Sequence, residues 1–152
     1  MKAVIQRVSR ASVDVDGETV GSCGRGYMIL LGVAEGDTEL DADLLCKKIA
    51  NLRIFPDEAG KMNLSVKDID GEALVISQFT LLANYRHGNR PDFLESAKPE
   101  VANQLYEYFK KLLAGEIRHV GAGIFGAHMQ VSLVNDGPVT IVMDSEVLKK
   151  KK

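Results

Sequence analysis

Hydroxyl, amide, aromatic and hydroxyl side chains follow one another at Ser77-Gln78-Phe79-Thr80, where the otherwise apolar run from Ala73 ends. The end of a buried strand is a common place for functional groups to emerge, because the strand holds them rigidly while the following loop lets them meet a ligand. The plainer reading is that Ser77 and Thr80 satisfy backbone groups at the strand's end, and residue types alone favour it. A second candidate is Gly137-Pro138, within Asn135-Asp136-Gly137-Pro138-Val139-Thr140. Glycine there removes a side chain that would crowd an approaching molecule, leaving two carbonyls as rigid acceptors that could form a stereochemical gate. Proline is tolerated at the start of a strand because it needs no ladder donor, and its peptide bond is expected to be trans, the state of all but about 5–6% of X-Pro bonds.

The other polar residues carry less. No GxGxxG or Walker-type glycine loop, GxSxG elbow or HExxH pattern occurs. Asp41, Asp57 and Asp92 lie in helical or turn contexts, where capping and solvation account for a carboxylate. His87, His119 and His128 are not spaced as a ligand set, and only His87, between Arg86 and Arg90, has a case for touching a ligand. Cys23 and Cys46 are too far apart for a CxxC motif and read as reduced, structural thiols. No metal and no cofactor are expected.

These segments need elements to position them. Ala11, Val13 and Val15 alternate with Ser12, Asp14 and Asp16, and the turn at Asp16-Gly17 predicts a β-hairpin. Tyr27 to Val33 predicts a strand buried on both faces. Ala42, Leu45, Ile49 and Leu52 recur at helical spacing behind the Thr38/Asp41 capping pair, predicting a helix to about Phe55 that Pro56 ends. Ala73 to Phe79 predicts another strand, followed by a polar loop from Asn84 to Pro91. Val101, Leu105, Tyr108 and Leu112 predict a second helix that opens near Pro99 and stops at Gly115. Strands are expected at Ile117 to Val120, at Met129 to Leu133 and at Val139 to Met143, the last two around a turn at Asn135 to Pro138. A flexible, solvated tail is expected from about residue 146. The sum is an α+β fold: one twisted, barrel-like, mainly antiparallel β-sheet with two main helices, in a single domain over 1–152.

Composition agrees with that scale. The chain has 152 residues, 45% hydrophobic and 26% charged, the proportions of one globular domain. Its 19 basic and 21 acidic residues leave a net charge of −2, so any nucleic acid must be gripped locally rather than by overall charge. The longest apolar run, Tyr27 to Ala34, is far short of the roughly 20 residues that cross a bilayer, and the N-terminus lacks a signal-peptide core. A cytoplasmic protein without membrane contact is expected.

The two candidate segments, together with Met1-Lys2-Ala3-Val4-Ile5-Gln6-Arg7-Val8, Gly88-Asn89-Arg90-Pro91 and the stretch from Gly126 to Thr140, resemble the signatures of the D-aminoacyl-tRNA deacylase family of bacterial and eukaryotic type. The resemblance spans nearly the whole chain. One departure is Ala122, where similar members often carry threonine, a difference that concerns a pocket-wall hydroxyl. The resemblance implies a homodimer that hydrolyses the ester between a D-amino acid and the 3′-terminal adenosine of tRNA while rejecting L-aminoacyl-tRNA, and a gate made of main chain, blind to the side chain, would admit achiral glycine as well. The resemblance also implies a cis Gly137-Pro138 bond inserted from one subunit into its neighbour's pocket, so that the active site lies at the subunit interface. With that activity, Ser77, Gln78, Phe79 and Thr80 are the candidate catalytic segment, and Phe125 and Met129 could wall the adenosine pocket by stacking on the base, where the plainer reading of both is core packing. Arg86, His87 and Arg90 could then neutralise phosphates of the acceptor end, the plainer reading being a solvated loop.

Elementary chemistry agrees with such a design. D- and L-amino acids carry the same groups, so discrimination has to come from a rigid element that clashes with one arrangement at Cα. Ester hydrolysis needs a nucleophile and donors for the developing oxyanion, for which the N–H groups of Phe79 and Thr80 are candidates. No histidine or acid lies in the same motif to activate Thr80, which favours a substrate-assisted route through the terminal ribose 2′-hydroxyl. Two alternatives stand beside it: a non-catalytic dimer that binds nucleotides or RNA ends, and a small-ester hydrolase with Thr80 as nucleophile.

Overall fold

The computed structural model describes residues 1–150. In chain order its elements are β1 (Lys2–Val15), β2 (Glu18–Cys23), β3 (Gly26–Gly32), α1 (Glu39–Asn51), β4 (Phe55–Pro56), β5 (Met62–Leu64), β6 (Glu72–Ser77), a 3-10 turn (Phe79–Leu82), α2 (Pro99–Ala114), β7 (Val120–Ala122), β8 (Gln130–Asp144) and α3 (Ser145–Lys149). The expected hairpin forms between β1 and β2, with positive φ at both Asp16 and Gly17, the geometry that lets a two-residue turn follow the strand twist.

β1 pairs antiparallel with β2, β3 and β8. The sheet is nevertheless mixed, because β3 pairs parallel with β6, and β6 parallel with β7. Each parallel pair is joined by a crossover, through α1 and through α2, as parallel neighbours require. β2 closes against β7 at a point where backbones touch: a Cβ on Gly121 would sit 2.5 Å from the Ser22 carbonyl oxygen, and one on Gly21 would overlap the Ala122 carbonyl. Only glycine permits that approach, and it gives the sheet its nearly closed, barrel-like curvature.

β3 and β6 are buried on both faces, which explains their uninterrupted apolar sequences. Tyr27, Ile29, Leu31, Ala73 and Val75 pack with α1 and α2 in the main core. Met28, Leu74 and Ile76 face the barrel interior with Val8, Val13 and Cys23. The carboxylate of Asp41 accepts the Thr38 N–H at 2.9 Å, as the capping pair requires.

Several boundaries differ from expectation. α1 ends at Asn51 rather than near Phe55, because Phe55–Pro56 is drawn into a small antiparallel pair with Met62–Leu64. The buried stripe of α2 is Ala102, Leu105, Tyr106, Phe109 and Leu113, while Val101 is exposed: the large Tyr106 and Phe109 rings turn the helix toward the core. The turn expected at Asn135 to Pro138 is instead an interior segment of one long strand, β8, where its register against β1 shifts. In place of a flexible tail from 146, the chain forms α3, whose Lys149 pairs with Asp41 at 2.7 Å and Glu146 at 2.8 Å. Lys151 and Lys152, the end of that expected tail, lie outside the described residues.

Cys23 and Cys46 are both free and buried. Burial, helped by Glu72 near Cys23 and by Glu116 near Cys46, pushes each thiol up to about 11. Both thiols therefore stay protonated and unreactive in the folded protein. Titration with a chromogenic disulfide reagent at pH 7.5 is expected to find no fast-reacting thiol before denaturant is added and two afterwards; a fast-reacting native thiol contradicts it.

Candidate active site

The end of β6 opens into a cavity of about 720 Å³. Ser77, Gln78 and Phe79 form one side of it, and Phe125 and Met129 lie on its wall, so five residues named from sequence share one site. Phe93, Leu94 and the segment Ser96 to Pro99 complete the rim. The backbone of Gln78 is tied down by its N–H, which donates to the Leu31 carbonyl at 2.8 Å. Chain direction then changes into the 3-10 turn, whose first N–H groups, at Phe79 and Thr80, have no partner inside the turn. The side-chain amide of Gln78 donates to the Thr80 hydroxyl.

Wall residues are held from behind. Tyr106 is buried, and its hydroxyl donates to the Val75 carbonyl at 2.7 Å, while its ring lies 6.2 Å from that of Phe125. One α2 side chain thus braces both the strand that carries Ser77 and the aromatic wall opposite. Phe79 and Phe93 meet edge to face, with centroids 5.1 Å apart.

The cavity's charge is one-sided. Lys98 and His128 are its titratable lining residues, and no carboxylate lines it. A polyanionic ligand meets no repulsion there, and an acidic general base is absent. His128, set aside on sequence spacing, is on the wall; its hydrogen bond among the described residues is to Gln130 at 3.4 Å. Its place beside the cavity depends on how the segment after β7 folds back over β6, which no local spacing reveals. Phe93 and Lys98 reach the cavity from the connection between the 3-10 turn and α2, whose path is equally unmarked by local spacing. His87 is exposed on the loop before Pro91, and Ala122 lies in β7, outside the lining.

Thr80 is exposed, next to the cavity and not among its lining residues. Arg86 lines a separate cleft of about 320 Å³ with Asn84, Tyr85 and Glu95, and Arg90 is exposed on the same loop. Gly137 and Pro138 are exposed and line neither cavity of their own chain. Their peptide bond is cis, against the trans expectation from residue type. The segment is anchored by Arg7, almost wholly buried, whose Nε donates to the Asp136 carbonyl at 2.8 Å and whose Nη1 donates to the Ile54 carbonyl at 2.7 Å. Asn135 adds a clasp, accepting the Val139 N–H at 2.8 Å and donating to the Val139 carbonyl at 3.1 Å. Arg7 was unmarked in the sequence because its partners lie 129 and 47 residues away.

The family model for D-Tyr-tRNA(Tyr) deacylase matches residues 4–144. The chain belongs to the D-Tyr-tRNA(Tyr) deacylase family. It is 58% identical over 146 residues to a D-aminoacyl-tRNA deacylase of Caldicellulosiruptor saccharolyticus, covering 96% of this chain and 98% of that one. It is 59% identical over 150 residues to a D-aminoacyl-tRNA deacylase of Roseiflexus castenholzii, covering 99% and 96%. Among solved structures, the c-Myc DNA Unwinding Element Binding Protein superposes with a TM-score of 0.90 at 46% identity, covering 95% of this chain and 98% of that one. For this deacylase-family chain the matched span includes β6, the cavity wall and the Gly137-Pro138 segment, so the residues singled out above all fall inside it. Among the described residues no helix is long and apolar enough to cross a membrane, and among the same residues no group of three His, Cys, Asp or Glu is arranged to hold a metal.

Proposed function

We propose that this chain hydrolyses the ester of D-aminoacyl-tRNA, and of glycyl-tRNA, in the cavity beside Ser77 to Thr80, acting in the cytoplasm as a homodimer. The observation that carries the reading is the split between the two motifs. The Ser77–Phe79 strand end opens into a cavity walled by Phe125 and Met129, whereas the rigidly anchored Gly137-Pro138 segment is exposed and away from it. A chiral gate made of that segment has to be offered to the cavity of a second copy.

In this reading the terminal adenosine lies against Phe125 and Met129, with the ester carbonyl toward the N–H groups of Phe79 and Thr80. Those donors stabilise the oxyanion as water attacks. With no carboxylate in the cavity and the Thr80 hydroxyl already engaged by Gln78, the ribose 2′-hydroxyl is the group best placed to orient the water. Main-chain carbonyls of Gly137 and Pro138 then read the amino-acid Cα and leave the side chain unread, which gives breadth across D-amino acids and admits glycine.

Release of tyrosine from D-tyrosyl-tRNA and L-tyrosyl-tRNA tests the function: the D-form is cleaved and the L-form spared, whereas tight binding without release supports the RNA-end-binding alternative. Thr80→Ala is expected to lower kcat by roughly tenfold, about the contribution of one hydrogen bond, without abolishing it. A fully inactive but folded Thr80→Ala, with a trapped acyl-enzyme in wild type, overturns the substrate-assisted route in favour of a Thr80 nucleophile.

A further inference from the structure

The loop from Tyr85 to Pro91 leads into the cavity wall at Phe93 without lining the cavity itself, and beyond the phosphate contacts open to its cations it has no role in the chemistry above. It is closed at its root: the Asn84 and Asp92 backbones exchange hydrogen bonds of 2.8 and 3.0 Å. The stem side chains are spent locally, Asn84 accepting the Arg86 N–H at 3.0 Å and Asp92 accepting the Leu94 N–H at 3.2 Å. The strand leaving the stem runs straight into Phe93 and Leu94 on the cavity wall. The loop is therefore rooted in the wall itself.

Its side chains are unusual for this acidic chain. Tyr85 is 81% exposed, and between it and Pro91 stand Arg86, His87 and Arg90 with no acid. Neither arginine forms an ion pair among the described residues. Glu95 lines the cleft at the loop's root with Tyr85 and Arg86, while Arg90 is exposed and lies outside that cleft. An exposed, flat aromatic ring flanked by unpaired guanidinium groups is the chemistry that holds single-stranded nucleic acid, with bases stacking on the ring and phosphates meeting the cations. A duplex offers no free base face to such a ring.

We propose that this loop is the platform for the unpaired nucleotides preceding the terminal adenosine of tRNA, with Tyr85 as the stacking surface and Arg86 and Arg90 as phosphate contacts. The proposal rests on the deacylase reading of the adjoining cavity and adds to it how the strand is led in. Tyr85 is a positioning residue, distant from the ester.

The test is the affinity of uncharged tRNA, measured by fluorescence anisotropy, for wild type, Tyr85→Ala, Tyr85→Phe and the Arg86→Gln/Arg90→Gln double variant. The same tRNA lacking its unpaired 3′ nucleotides is the control. Tyr85→Ala is expected to raise Kd roughly 5- to 150-fold for intact tRNA, with Tyr85→Phe within about twofold of wild type and no effect of either on the truncated tRNA. The double variant is expected to flatten the slope of log Kd against log salt by about 1.4, two single-strand phosphate contacts. Equal affinities of wild type and Tyr85→Ala for intact tRNA, or an equal loss on truncated tRNA, overturn the proposal. Release of D-tyrosine by wild type is scored separately: if the ester survives, the deacylase reading fails, whatever Tyr85 does to affinity.

Discussion

Gly137→Ala is expected to cut kcat/KM for D-tyrosyl-tRNA by a hundredfold or more while the protein stays folded. Gly137 sits at φ 150°, a backbone region that side chains other than glycine's rarely enter. A Cβ there would lie 2.8 Å from Val139 Cγ2, 2.9 Å from the Val139 nitrogen and 3.1 Å from Arg7 Nη2. Two of those neighbours are held: Val139 is clasped by Asn135, and Arg7 is pinned between the Ile54 and Asp136 carbonyls. The clash is therefore relieved by moving the Gly137-Pro138 carbonyls, and a displacement of about 1 Å in a substrate-positioning element costs on the order of a hundredfold. Because the segment is exposed, the stability cost stays near the roughly 1–3 kcal/mol of one strained residue. Steady-state deacylation of the D- and L-esters, paired with thermal unfolding, reads both quantities. The gate assigned to this segment is wrong if the variant folds and keeps wild-type turnover and D-over-L preference. Arg7→Met is the companion variant: it leaves the Ile54 and Asp136 carbonyls unpaired, and the same loss of turnover is expected with a larger stability cost.

Asp41→Ala is expected to lower the thermal midpoint by about 6–12 °C with no change in substrate preference. Asp41 is fully buried at the start of α1 and binds α3, accepting from Ser145 Oγ at 2.7 Å and from Lys149 at 2.7 Å. Ser145 in turn accepts the Met1 ammonium at 2.9 Å. Removing one partner of such a network strands the others, at a cost near 3 kcal/mol here because Lys149 keeps contact with water. The pH dependence has a definite sign. Burial pushes the Asp41 carboxyl up, but hydrogen bonds from Lys149, Ser145 and the Thr38 amide, with the Met1 ammonium nearby, outweigh it and hold the group at about 2, below its ordinary 3.8. A carboxyl lowered in the folded state stabilises fully above about pH 4 and loses that contribution as pH falls toward 2. Wild type is thus expected to lose stability steeply over that window, and Asp41→Asn to show a shallower fall. Parallel denaturation curves for the two proteins between pH 4 and 2 contradict this assignment.

Parts of the architecture were legible along the chain because their causes are local. The Asp16-Gly17 turn, the Thr38/Asp41 pair and the two-sided apolar run at Tyr27 each depend on neighbours a few residues away, and each appears where the residues require it. The α2 stripe was shifted because Tyr108 and Leu112 match the helical period as well as Tyr106 and Phe109 do. Only the volume available between α2 and the sheet chooses between them. The polar strand end at Ser77 and the apolar–polar alternation around Met129 were visible, yet nothing in either segment says that they share a cavity.

By itself, the amino-acid order determined the α+β class, the hairpin, the two main helices, the buried strands, the reduced cysteines and the motif set that places the chain among the deacylases. The tertiary structure alone decided the parallel pairing through β3, β6 and β7, the single long β8, the placing of His128 and Lys98 on the cavity, and the burial of Arg7 between carbonyls 47 and 129 residues distant. Caps, turns and periodicity are settled within one or two turns of backbone. Strand order and a shared cavity depend on closing long loops against chain entropy, a cost offset only when the whole core packs at once.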